Sequence, residues 1–65
     1  MKLWINGEER TLPDVDTLQS ALDQIGAVPP YAVAVNASFV PRSQYAQLQV
    51  QAGDAIEVVQ AMAGG

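Results

Sequence analysis

No cysteine and no histidine occur anywhere in the 65 residues. A chain of this length buries only about 60% of its unfolded surface, and here neither a disulfide nor a cysteine–histidine metal site can make up the shortfall. Packing alone must hold it together, so every large apolar side chain counts. The apolar fraction of 49%, with 15% charged residues, is too high for a disordered polymer. One small domain is the expectation. The same two absences limit chemistry: there is no thiol to act as nucleophile or persulfide carrier, and no imidazole for acid–base work near neutral pH.

Charge narrows the partners. Three basic residues (Lys2, Arg10, Arg42) stand against seven acidic ones, a net charge of −4. That is too little positive charge for a phosphate-neutralising stripe, so a nucleic-acid partner is not expected. An acidic module suits a basic protein surface instead. The longest unbroken apolar run, Tyr31–Val35, is far short of the ~20 residues of a membrane span. No Gly-rich phosphate loop or signal-peptide core is present, so a cytoplasmic protein is expected, with no membrane partner.

Along the chain, residues 2–6 alternate, with Leu3 and Ile5 on one face and Lys2, Trp4 and Asn6 on the other, as in a half-buried strand. Asn6-Gly7 signals a hairpin, because both residues tolerate positive φ. The return strand reads as residues 9–12. A turn centred on Asn6-Gly7 or on Gly7-Glu8 puts Arg10 and Leu12 on the face of Leu3 and Ile5, Arg10 laying its aliphatic stem along the core edge. Pro13 ends this strand.

Asp16 or Thr17 caps a helix; with Asp16 as the cap, Gln19 takes the capping-box position. Leu18, Ala21, Leu22 and Ile25 form one helical stripe, Gly26 the C-terminal cap, and Pro29-Pro30 a stop. A helix of roughly ten residues is marginal alone and must lie on a sheet. Tyr31–Val35 reads as a buried strand, Asn36-Ala37-Ser38 as a turn, Phe39-Val40 as a short extended piece, and residues 42–47 as an irregular or short helical turn. Leu48 and Val50 alternate with glutamines as a further strand. Gly53-Asp54 turns the chain into a last strand, residues 55–60, with Ile56 and Val58 inward and Glu57 and Val59 outward.

Hairpin, helix, then strands is the order of a β-grasp domain. The expected class is therefore α+β: a mixed sheet of four to five strands, with one main helix packed on one face. Residues 1–60 would form that domain and residues 61–65 a flexible tail.

The tail, Ala61-Met62-Ala63-Gly64-Gly65, is where chemistry concentrates. Two glycines without Cβ atoms could thread a narrow channel in a partner and present the Gly65 carboxylate beside a bound nucleotide. Other features have plainer readings. Asp14 and Asp16 could suggest a metal pair, yet they precede a helix and suit its positive end, so no metal site is expected. Asn36-Ala37-Ser38 matches a glycosylation sequon but reads as a turn. Asp54 is a turn residue, and Arg42 a surface charge better suited to a local contact than to a partner.

Val35-Asn36, Val40-Pro41-Arg42 with Gln44-Tyr45-Ala46, Gly53-Asp54-Ala55-Ile56 and Ala63-Gly64-Gly65, together with Thr17-Leu18 and Leu22, resemble a sulfur carrier of the ThiS type, the ubiquitin-like proteins of thiamine thiazole synthesis. The resemblance spans almost the whole chain; Trp4 and Pro29-Pro30 depart from the pattern. It implies a carrier that is a co-substrate and not an enzyme. A ThiF-type enzyme, holding the ATP and magnesium, would adenylate Gly65. A sulfur donor fed by a cysteine desulfurase would turn the adenylate into a thiocarboxylate, and a ThiG-type thiazole synthase would take the sulfur. The chain itself would need no cofactor. Met62, Ala63 and Gly64 would be the threading residues. A MoaD-type carrier for molybdopterin synthesis and a ubiquitin-like protein modifier are the alternatives. The β-grasp likeness also implies that the first and last strands lie side by side, which would put Trp4, Val59 and Ala61 on the face away from the helix as a partner surface.

Overall fold

The computed structural model describes residues 1–60. The alternation at the start becomes strand β1 (Lys2–Ile5), with Leu3 and Ile5 buried and Trp4 turned outward. Strand β2 (Glu8–Thr11) returns antiparallel to it. Of the two turns the sequence allows, the chain takes the one centred on Asn6-Gly7. Ile5 faces Glu8, and φ is 51° at Asn6 and 83° at Gly7. Two successive positive φ values mark a type I′ turn, whose twist matches that of the flanking strands. This tight turn uses only two residues, so β2 starts one position earlier than the sequence reading. Arg10 lies opposite Leu3 on the helix side and stays exposed, while Leu12 is buried just past the strand.

Helix α1 (Leu18–Gln24) is capped by Thr17, the second of the two candidates. The Thr17 hydroxyl accepts from the Ser20 N–H at 3.2 Å, and the Ser20 hydroxyl accepts from the Thr17 N–H at 3.1 Å. This is a reciprocal capping box with Ser20, and not Gln19, as the partner. Asp16 supports it, its carboxylate accepting from the Thr17 N–H and the Ser20 hydroxyl. At the other end Gly26 has φ 75°. The N–H groups of Gly26 and Ala27 donate to the carbonyls of Asp23 and Leu22, the two bonds of a Schellman motif. Thr17→Ala is expected to lower stability by about 1 kcal/mol, read as a shifted midpoint in urea unfolding; an unchanged midpoint would show that the box contributes nothing.

Strands β3 (Tyr31–Val35), β4 (Ser38–Val40) and β5 (Ala55–Gln60) complete a five-stranded sheet in the order β2-β1-β5-β3-β4. β1 and β5 are parallel and the other neighbours antiparallel. This is the mixed sheet of a β-grasp domain, with the last strand in the middle. The core lies between α1 and one face of the sheet, with Leu3, Leu18, Leu22, Val33 and Ile56 its largest fully buried side chains.

Two expectations are corrected. Residues 48–51 are not a strand. Leu48 is half-buried and Val50 buried, as their alternation implies, but their backbone serves the helix entrance. Thr17 and Gln49 form an isolated bridge, the Leu18 N–H donates to the Leu48 carbonyl at 2.8 Å, and the Val50 N–H donates to the Asp16 carbonyl at 3.0 Å. With the Tyr45 carbonyl accepting from the Gln19 N–H, this loop satisfies first-turn donors that no intrahelical carbonyl can reach. β3 is also less buried than its apolar run suggests. Val33 is covered by the helix, whereas Ala32 is exposed, because a single helix covers only one face of the sheet.

Candidate functional site

β5 brings the chain to Gln60 in the centre of the sheet. The residues singled out in the tail (Ala61, Met62, Ala63, Gly64 and Gly65) lie outside the described residues. What the structure describes is the root from which they continue and the surface around it.

The strand that leads to this root is held at both ends. At the start of β5, Asn36 adopts φ 50° and its side chain makes two hydrogen bonds. Its Oδ1 accepts from the Ala55 N–H at 2.9 Å, and its Nδ2 donates to Asp54 Oδ1 at 3.0 Å. The other Asp54 oxygen accepts from the Gln51 N–H at 2.8 Å. Asp54 is thus the turn residue its position after Gly53 suggests, and Asn36 holds two turns together. At the far end, the Gln60 side chain donates to the Val28 carbonyl at 3.0 Å.

Trp4 and Val59 both point to the uncovered face of the sheet, at 42% and 66% exposure. They are not neighbours there. Trp4 lies beside Ala55, and Val59 is four residues further along β5, about 13 Å away, with Glu57 between. Val59 instead groups with Ala32, its partner across β3, and with Pro30 and Tyr31 around a shallow depression at the root of the tail. A third large apolar group, Phe39, stands on the same face at 70% exposure, opposite Ala34. Sequence reasoning passed over Phe39. The signal was present: Val40 is an inward residue, so its predecessor in a strand must face out. The open face is therefore a set of separated apolar groups around the Glu57 carboxylate. Trp4, Phe39 and Val59 are three of the five large apolar side chains exposed among the described residues, Met1 and Val28 being the others.

Arg42 lies away from that face. It lines a groove of about 460 Å³ on the helix side with Tyr31, Tyr45, Asp23 and Gln19. The two tyrosine rings stack with centroids 5.8 Å apart. Burial, and then the neighbouring Tyr31, push the Tyr45 hydroxyl above its ordinary range, against the pull of the Arg42 charge. Among the described residues no group of three acidic, histidine or cysteine side chains could hold a metal, and no helix is long and apolar enough to cross a membrane.

Comparison with known proteins places this arrangement. Residues 3–65 match the model of the ThiS family. A thiazole synthase of Paramagnetospirillum magneticum is 45% identical over 67 residues; the match takes in 100% of this chain and 20% of that protein, so the chain spans about a fifth of that relative's length. The crystal structure of the thiamine biosynthesis protein ThiS from Geobacter metallireducens superposes with a TM-score of 0.82 at 25% identity, over 100% of both chains. The solution structure of a thiamine biosynthesis protein from the same organism gives the same TM-score and identity, over 100% of this chain and 88% of that one. From strand order to terminal glycines, the chain belongs to the ThiS family, the ubiquitin-like sulfur carriers of thiamine biosynthesis.

Proposed function

We propose that this chain carries sulfur as a thiocarboxylate on Gly65 and delivers it to a thiazole synthase. The observation that carries the reading is the family match, which continues through residue 65 and so includes Ala63-Gly64-Gly65. The chemistry needs little from the carrier. The Gly65 carboxylate attacks the α-phosphate of ATP held with magnesium in a ThiF-type enzyme, and pyrophosphate leaves. A free carboxylate is a poor electrophile, and the adenylate supplies it with a good leaving group. The terminal sulfur of a donor persulfide, loaded by a cysteine desulfurase, then displaces AMP from the acyl carbon. A thiol cleaves the S–S bond of the resulting acyl disulfide, releasing the thiocarboxylate and forming a disulfide on the donor side. With no thiol elsewhere in the chain, the terminus is the place where sulfur can be held covalently. Met62, Ala63 and Gly64 form the slim tether that reaches the partner's nucleotide site from the domain of residues 1–60. All catalytic groups belong to the partners, and the setting is the cytoplasm.

The thiazole synthase relative, which carries a stretch matching this whole chain within one polypeptide, supports a ThiG-type acceptor over the molybdopterin alternative. Incubation with ATP, magnesium, a ThiF-type enzyme, a cysteine desulfurase and a sulfur source, followed by intact mass, tests the reading. Replacement of one oxygen by sulfur is the expected result. Larger crosslinked species would instead indicate a protein modifier, and an unchanged mass would overturn the proposal.

The proposed docking uses the open sheet face, with Trp4, Val59 and Ala61 as its apolar contacts and Phe39, exposed on the same face, as a fourth. Because Glu57 interrupts these groups, the fitting partner surface is apolar with a basic side chain opposite Glu57. Tryptophan is a residue type favoured at binding hot spots, and Trp4→Ser is expected to weaken binding to the adenylating enzyme by about 1–3 kcal/mol. Calorimetric titration reads the affinity and a melt of the variant alone reads the fold. Unchanged affinity would remove Trp4 from the interface.

A further inference from the structure

The pairing of β1 with β5 runs out early. Trp4 lies beside Ala55 and Ile5 beside Ile56, and the chain then turns at Asn6 and Gly7. β5 continues to Gln60, paired on its other side with β3 through Tyr31. On the β1 side the peptide groups of Val58 would stand without a strand to meet them. The Asn6 side chain meets them instead. Its Oδ1 accepts from the Val58 N–H at 2.8 Å and its Nδ2 donates to the Val58 carbonyl at 3.3 Å. The Asn6 backbone N–H donates to the Ile56 carbonyl at 2.9 Å. A primary amide offers one carbonyl acceptor and N–H donors, so it serves the strand edge as a peptide group would.

The turn alone does not demand this side chain, since glycine adopts positive φ more readily than asparagine. The second hairpin repeats the device. Asn36, at φ 50°, serves the Ala55 N–H through its side chain and the Ala55 carbonyl through its backbone N–H at 2.7 Å. One turn asparagine therefore pins each end of the strand that leads to the tail.

We infer that Asn6 is a positioning residue for the segment that follows Gln60: with β3 holding the other edge of the strand, its grip on Val58 fixes the β1-side edge of the strand end from which the chain continues into residues 61–65. This rests on the reading that the Gly65 carboxylate reacts in a partner's nucleotide site. A reacting carboxylate must come within about 3–3.5 Å of its target, and each residue freed at the root adds up to about 3.3–3.6 Å of play. Freed residues must also be ordered again when the carrier docks. Loosening the root therefore raises the carrier's KM and leaves the chemical step of the docked complex untouched.

Asn6→Gly separates the two roles of the position, because it keeps the turn and deletes the amide. Asn6→Asp keeps an acceptor for the Val58 N–H and loses the donor. Two readouts apply: amide hydrogen exchange on the free carrier, and pyrophosphate exchange with a ThiF-type enzyme. In Asn6→Gly the Val58 amide is expected to exchange up to about tenfold faster while Val33 keeps its wild-type rate. The KM for the carrier is expected to rise about fivefold to tenfold at unchanged kcat, with Asn6→Asp between glycine and wild type. Equal acceleration at Val58 and Val33 would mean general destabilisation and would overturn the inference. So would an unchanged Val58 rate, or a wild-type KM despite faster exchange. A wild-type carrier inactive with every ThiF-type enzyme tried would overturn the adenylation reading itself and the role with it. An active wild type with an unaffected Asn6→Gly variant overturns the role alone.

Discussion

Deleting Gly65, or adding one residue after it, is expected to abolish adenylation while leaving the thermal melt of the carrier unchanged. The two halves of that result have separate causes. Among the described residues the buried side chains lie between Leu3 and Ile56, and a glycine has no side chain to add to them, so the melt is expected to hold. At the reacting end one residue moves the carboxylate by about 3.3–3.6 Å, as far as the whole separation across which an attacking atom must be aligned. A carboxylate displaced by that distance stops short of the α-phosphate or is driven past it. Extension tests the idea more sharply than deletion, because it keeps both glycines and changes only where the carboxylate sits. The check is ATP–pyrophosphate exchange with the adenylating enzyme, alongside a melt of each variant. Exchange at the normal rate by the extended carrier would show that the terminal carboxylate is not the reacting group.

Leu22→Ala is expected to destabilise the fold by about 2–5 kcal/mol. Leu22 is 1% exposed, on the helix stripe that faces Leu3, Val33 and Ile56 in the core. Removing its outer methyl groups loses their burial and leaves a cavity that rigid neighbours fill only in part. The loss is large here because the whole is small. Domains have about 5–15 kcal/mol of net stability, and one of this size, with no cysteine to crosslink, belongs toward the low end. Urea unfolding should show a midpoint sharply reduced with the slope little changed. A variant that melts with wild type would mean that the helix stripe is not the face that packs on the sheet. Comparison with Trp4→Ser is informative, since Trp4 is a larger side chain yet 42% exposed. If burial decides stability, the smaller residue must cost the fold more.

Much of this architecture can be read from local pattern because its causes are local. Asn6-Gly7 turns the chain through backbone angles that belong to those two residues. The stripe of Leu18, Ala21 and Leu22 marks one helix face, and Gly26 stops the helix through its own left-handed conformation. Alternation likewise separates Leu3 and Ile5 from Trp4, and Ile56 from Val59. The terminal glycines and the lack of cysteine and histidine limit the chemistry before any fold is considered.

Three matters were decided only when distant segments met. Leu48 and Val50 alternate like a strand, and their burial obeys that pattern, but alternation records which side chains are covered and not which backbone lies alongside; here it is the entrance to α1. The surface proposed for a partner depends on register. Period two puts Trp4 and Val59 on one face, yet the offset between β1 and β5 separates them and inserts Glu57, while β4 brings in Phe39. Asn6 shows the limit most clearly. Its place in the turn follows from residues 6 and 7, but its hold on Val58 spans 52 positions. Side-chain identity and spacing specify which conformations each segment can adopt. Which backbone donor faces which acceptor is a property of the packed sheet, and the root of the tail is built from those pairings.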